Sequence, residues 1–153
     1  MPELLQSDLI LRLVIAALLG AVLGFERSLA GKHAGMRTYA LVTMGSALFV
    51  LVGTLSAAQM GPYFPGVNPM QIASNVVVAI GFLGIGLTVF RGEHPVELTT
   101  AAGLWLASGI GMAMGFGLLS AAVAATLLGL FVFWFLAKVE RALSSRLGAK
   151  HEE

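Results

Sequence analysis

From Leu98 to Ala137 the chain carries forty consecutive residues without an Asp, Glu, Lys or Arg. One helix of that length would reach about 60 Å, roughly twice the hydrocarbon thickness of a bilayer, so the run must fold back once. Gly115-Phe116-Gly117 marks the bend and divides the run into helical spans over 98–114 and 118–137. Three more apolar runs, 9–25, 39–58 and 72–90, come before it. Arg12 interrupts the first one turn in, with Asp8 four residues earlier, the favourable spacing for a helical ion pair. Between the second and third, Gly61, Pro62, Pro65, Gly66, Asn68 and Pro69 prohibit a continuous helix. The pattern predicts an all-α integral membrane protein, a bundle of five transmembrane helices.

Composition agrees: 58% of the 153 residues are hydrophobic and 11% are charged, against about 25% charged in soluble domains. Charge also sets the orientation. In a five-span arrangement Arg27, Lys32, Arg37, Arg91, Lys138, Arg141, Arg146 and Lys150 share one side and Arg12 stands on the other. The positive-inside rule therefore predicts the N-terminus outside and the C-terminus in the cytoplasm. The basic tail over 138–153 spaces Val139, Ala142, Leu143 and Leu147 as a helical stripe, which predicts a short amphipathic continuation at the inner surface. The N-terminus lacks the basic start and small-residue site of a secretory signal, so no cleaved leader is expected.

Several groups of residues are candidates for function. Gly20, Gly24, Gly81, Gly84, Gly86, Gly111 and Gly115 lie within spans, where small residues let helix backbones approach closely in lipid. They predict tight packing, either within this bundle or, for one such face, with a partner. Gly111 is the position taken for that partner contact. Glu26-Arg27 and Arg37-Thr38 flank a turn containing Gly31 and Gly35, and a carboxylate at the hydrocarbon edge needs a cationic partner. Glu26 is therefore expected to pair with Arg37, leaving Arg27 or Lys32 for phosphate or lipid headgroups. Thr99 and Thr100 open the fourth span as capping hydroxyls or a coordination point, and Asn75 near the start of the third is expected to bridge two helices or bind a solute.

Other chemistry is not expected. No cysteine is present, and His33, His94 and His151 lack ligand spacing, so neither a metal site nor a cofactor is indicated. No carboxylate lies at the centre of a span, and no catalytic grouping is visible, so the chain does not read as an enzyme.

The run Arg12-Leu-Val-Ile-Ala-Ala-Leu-Leu-Gly20, Gly24-Phe-Glu26-Arg27, Gly35-Met-Arg37-Thr38, Ile80-Gly-Phe-Leu-Gly84-Ile-Gly86 and Leu98-Thr99-Thr100-Ala-Ala102-Gly-Leu-Trp105 resembles the MgtC/SapB family over about residues 10–135. That resemblance implies a multi-pass protein of the bacterial inner membrane, tied to survival in low magnesium and in some members to virulence. It further implies a small regulator of membrane ATPases rather than a carrier, acting by helix contact with itself as a homo-oligomer or with such a partner. The alternative is an oligomeric ion or solute conductor, with Asn75, Thr99, Thr100 and Glu26/Arg37 lining a path. The chain is expected to carry the family's hydrophobic domain without the soluble C-terminal domain of longer members.

Overall fold

The computed structural model describes residues 2–61, 63, 66, 68–89 and 98–148. Pro62, Pro65, Phe90, Arg91, His94, Glu97, Lys150 and His151 lie outside the described residues, as do the side chains of Arg146 and Leu147. The helices are α1 (Pro2–Leu29), α2 (Met36–Met60), α3 (Pro69–Val89), α4 (Leu98–Gly115), α5 (Leu119–Phe131) and α6 (Ala137–Gly148), with a π-helical turn at Val132–Leu136 joining the last two. Five helical segments among the described residues are long and apolar enough to cross a membrane, the fifth running from Leu119 to Ser144. Helix therefore continues from the last span through the π-turn into α6, rather than breaking to begin a separate surface segment.

The helix ends have local causes. α1 and α4 both finish in a Schellman motif around a glycine in the left-handed region, Gly31 (φ 70°) and Gly117 (φ 79°). In the first, Lys32 N–H donates to the Arg27 carbonyl (3.0 Å) and Gly31 N–H to Ser28 (3.1 Å). In the second, Leu118 N–H donates to Ala113 (2.8 Å) and Gly117 N–H to Met114 (3.0 Å). The expected bend at 115–117 is thus a helix stop built on Gly117. α3 starts three residues before the expected span because Asn68 caps it, its Oδ1 accepting from Met70 N–H at 2.9 Å. Pro69 occupies the first helical position, where its missing N–H costs nothing. At α2 the cap comes from across the turn: Ser28 Oγ accepts from Met36 N–H (3.1 Å) while donating to the Gly24 carbonyl (3.0 Å).

α4 is the centre of the bundle. Half of its apolar window is buried, against 22–33% for the other four, and it touches α1, α2, α3 and α5. Its buried residues are Thr100, Gly103, Leu104, Ala107, Ser108, Ile110, Gly111, Met114 and Gly115, two thirds of them small or hydroxyl-bearing. α2 presents Tyr39, Thr43, Ser46, Ala47 and Val50 to it, while Leu41, Leu48, Phe49 and Val52 point outward. Small residues concentrate on the faces that meet, because in lipid close backbone approach, rather than removal of apolar surface from water, draws helices together. Three buried hydroxyls bond within their own helix rather than across to another. Thr43 donates to Tyr39 O (2.8 Å), Ser108 to Trp105 O (2.7 Å) and Thr126 to Ala122 O (2.9 Å), each within its own helix.

Candidate functional site

A polar cleft of about 450 Å³ opens at the end of the bundle where α1 finishes and α2 and α4 begin. Glu26, Arg27 and Lys32 come from α1 and its turn, Thr99 from α4, Phe133 from the π-turn, and Glu140 and Arg141 from α6. Tyr39 ties the same end together, its hydroxyl donating to the Thr100 carbonyl at 3.2 Å with the ring wholly buried.

Arg27 is the centre of the cleft wall. It is 4% exposed, the only charged side chain among the described residues that is buried. Its Nε and Nη2 donate to the two carboxylate oxygens of Glu26, the second bond at 2.7 Å, and its guanidinium carbon lies 3.9 Å from the Phe133 ring centroid. This overturns the expected pairing. Glu26 bonds Arg27, whereas Arg37 and Thr38 are exposed at the start of α2, and Arg37 makes no ion pair among the described residues. The buried stripe of α5, Ala122, Thr126 and Gly129, continues in phase to Phe133 and brings the ring to Arg27.

The remaining expected residues are dispersed. Arg12 lies at the opposite end of the bundle, bonded to Asp8 at 2.8 Å as the four-residue spacing predicts, with its guanidinium over Gly117. Asn75 is exposed on α3 and its side chain makes no hydrogen bond among the described residues, so the expected inter-helix bridge is not formed there. Thr99 faces the cleft and Thr100 is fully buried in the core. Gly20 and Gly24 abut α2, at Tyr39 and Thr43 and at Met36. Gly111 and Gly115 abut α2 at Thr43, Ser46, Ala47 and Val50, so Gly111 closes this bundle instead of facing a partner. Gly84 meets Ala101, while Gly81 and Gly86 have open space beside them. Gly103, against Tyr39 and Phe133, and Gly129, against Leu106 and Leu23, are contact glycines that the sequence reading did not single out. Their signal was the three- and four-residue spacing of small residues along α4 and α5.

Among the described residues no three His, Cys, Asp or Glu side chains gather as metal ligands. Fold and cleft together define a multi-pass helical membrane protein whose charged side chains collect at the bundle ends. Residues 13–142 match the model of the MgtC family, and the chain belongs to that family. It is 42% identical over 126 residues to "Protein MgtC" of Salmonella typhimurium (strain LT2), covering 82% of this chain and 51% of that protein. It is 37% identical over 129 residues to "Putative magnesium transporter YhiD" of Escherichia coli (strain K12), covering 84% and 60%. With "Protein SrpB" of Synechococcus elongatus the identity is 41% over 116 residues, covering 70% and 63%. The chain thus spans about half to three fifths of the length of these relatives. No solved structure matches it.

Proposed function

We propose that the chain is the membrane domain of an MgtC-type protein of the bacterial inner membrane, with the cleft end and α6 on the cytoplasmic side. In this reading it serves magnesium homeostasis without catalysing a reaction, by regulating another membrane protein, an ATPase being the leading class, through helix contact. The magnesium link rests on family membership and on the name of the Escherichia coli relative. Sidedness rests on the positive-inside rule.

Regulation is favoured over transport by one observation, the character of the bundle interior. Among the described residues its buried polar side chains are Arg27 and six hydroxyls, and Arg27 is already neutralised by Glu26 at the bundle end. Mg²⁺ keeps most of its water and is usually held by carboxylates. The carboxylates with described side chains are Asp8, Glu26 and Glu140, all at or beyond the bundle ends, and the first two are in ion pairs. The partner face in this reading is the outer face of α3, where Val78, Phe82 and Ile85 are exposed beside Gly81.

Photo-crosslinking from Phe82 in native membranes tests the proposal. The expected product is a discrete adduct with a different membrane protein, lost in Gly81→Leu. Mg²⁺ or monovalent flux through the purified protein in liposomes, abolished by Thr99→Ala, would overturn it in favour of the conductor.

A further inference from the structure

The polar cleft does not end at its polar residues. Thr99, Val132 and Phe133 line it, and the same three line an apolar groove of about 390 Å³ running between α4 and α5. Small residues leave room between the helices there, Ala102 and Gly103 on α4 and Ala125 and Gly129 on α5, with Leu106 and Leu128 completing an apolar lining. A charged chamber at the bundle end and an apolar channel along the span therefore share one wall, which fits an amphiphile better than a small ion.

We propose that cleft and groove together hold one anionic phospholipid, its phosphate among Arg27, Lys32 and Arg141 and one acyl chain along α4 and α5. Two of the five N–H groups of Arg27 go to Glu26, leaving three as donors. Phe133 fixes the guanidinium plane in the wall. Lys32 and Arg141 line the same chamber and form no ion pair among the described residues. Glu140 is the opposing charge. With Glu26 cancelled by Arg27, two cations against one carboxylate leave the chamber with one net positive charge. Basic pockets between helices on the cytoplasmic side of a membrane are suited to anionic headgroups. A free phosphate would need only the chamber and would leave the groove unused.

The test is native mass spectrometry of the purified full chain, titrated with phosphatidylglycerol or with phosphatidylcholine of the same acyl chains. Phosphatidylglycerol is expected to be retained at least about fivefold better, the worth of roughly one surface basic residue. Lys32→Gln combined with Arg141→Gln, both outside the core, should abolish that preference. Ala102→Leu, which narrows the groove from its exposed rim, should weaken both lipids and keep the charge preference. Equal retention of the two lipids would overturn the proposal. So would displacement of phosphatidylglycerol by inorganic phosphate with no effect of Ala102→Leu, since the chamber would then be a free-anion site. Either failure leaves the regulatory reading standing, because that reading rests on the bundle interior and is tested separately at the outer face of α3.

Discussion

Arg27 and Phe133 meet face-on, 106 positions apart in the chain, with the guanidinium 3.9 Å above the ring and Glu26 holding its edge. A cation in so dry a place needs both contacts. The carboxylate neutralises it, and the ring's negative face is worth about 2 kcal/mol once water is excluded.

Removing one member of that set should cost more than removing two. Arg27→Gln leaves Glu26 without its cation at the hydrocarbon edge and is expected to lower stability by about 3 kcal/mol. In the Glu26→Gln/Arg27→Gln double variant, a coupling of about 1–3 kcal/mol should appear in reversible unfolding by SDS in mixed micelles. Arg37→Gln should change stability by no more than about 0.5 kcal/mol and add linearly to Glu26→Gln, as expected for an exposed side chain. Strong coupling between Glu26 and Arg37 would contradict the observed pairing.

Glycines in the bundle should divide sharply. A Cβ at Gly111 would fall on the Thr43 carbonyl of α2, and backbone cannot give way cheaply, so Gly111→Ala should cost about 1–3 kcal/mol. Gly81 has nothing within 4 Å of such a Cβ, and Gly81→Ala should stay within about 0.5 kcal/mol of the parent. The same unfolding assay reads both.

Two hydrogen bonds set the register of α1, α2 and α4 at the cleft. Tyr39→Phe removes the donor to the Thr100 carbonyl and should cost about 1 kcal/mol. Ser28→Ala removes the acceptor for Met36 N–H, the cap of α2, with a similar expected loss of about 1 kcal/mol. Hydrogen exchange in Ser28→Ala should accelerate first at the amide of Met36, before the centre of α2 responds.

Sidedness can be read directly because the chain has no cysteine of its own. Single cysteines at Lys32 and Arg141, both lining the cleft, should be shielded from a membrane-impermeant maleimide in intact cells. A cysteine at Ser120, exposed beyond the bend at the other end of the bundle, should react. Labelling of Lys32 and Arg141 from outside would reverse the proposed orientation.

Residues four apart on one helix could be paired on sight, and Asp8 with Arg12 is such a case. Glu26 with Arg27 could not, because adjacent helical residues point in different directions and normally do not meet. The pair forms because Phe133 supplies a surface on which the Arg27 side chain can lie back toward Glu26, and that surface comes from the far end of the fold. Asn68-Pro69 as the start of α3 was legible as a cap followed by proline, though breaker residues around it hid the signal.

The sequence alone determined that this protein has five helices suited to a membrane, where they bend and at which end the positive charge gathers. Those properties depend on run length, on glycine and proline, and on the cost of charge in hydrocarbon, all readable one segment at a time. Only the tertiary structure decided which glycines close the bundle, which carboxylate neutralises which cation, and that a charged cleft and an apolar groove share Thr99, Val132 and Phe133 in their walls. The seven glycines named from the sequence for packing all lie within helical segments, yet whether one is a contact or an open surface depends on which neighbouring backbone reaches it, and close approach is a property of helix pairs, not of any single helix.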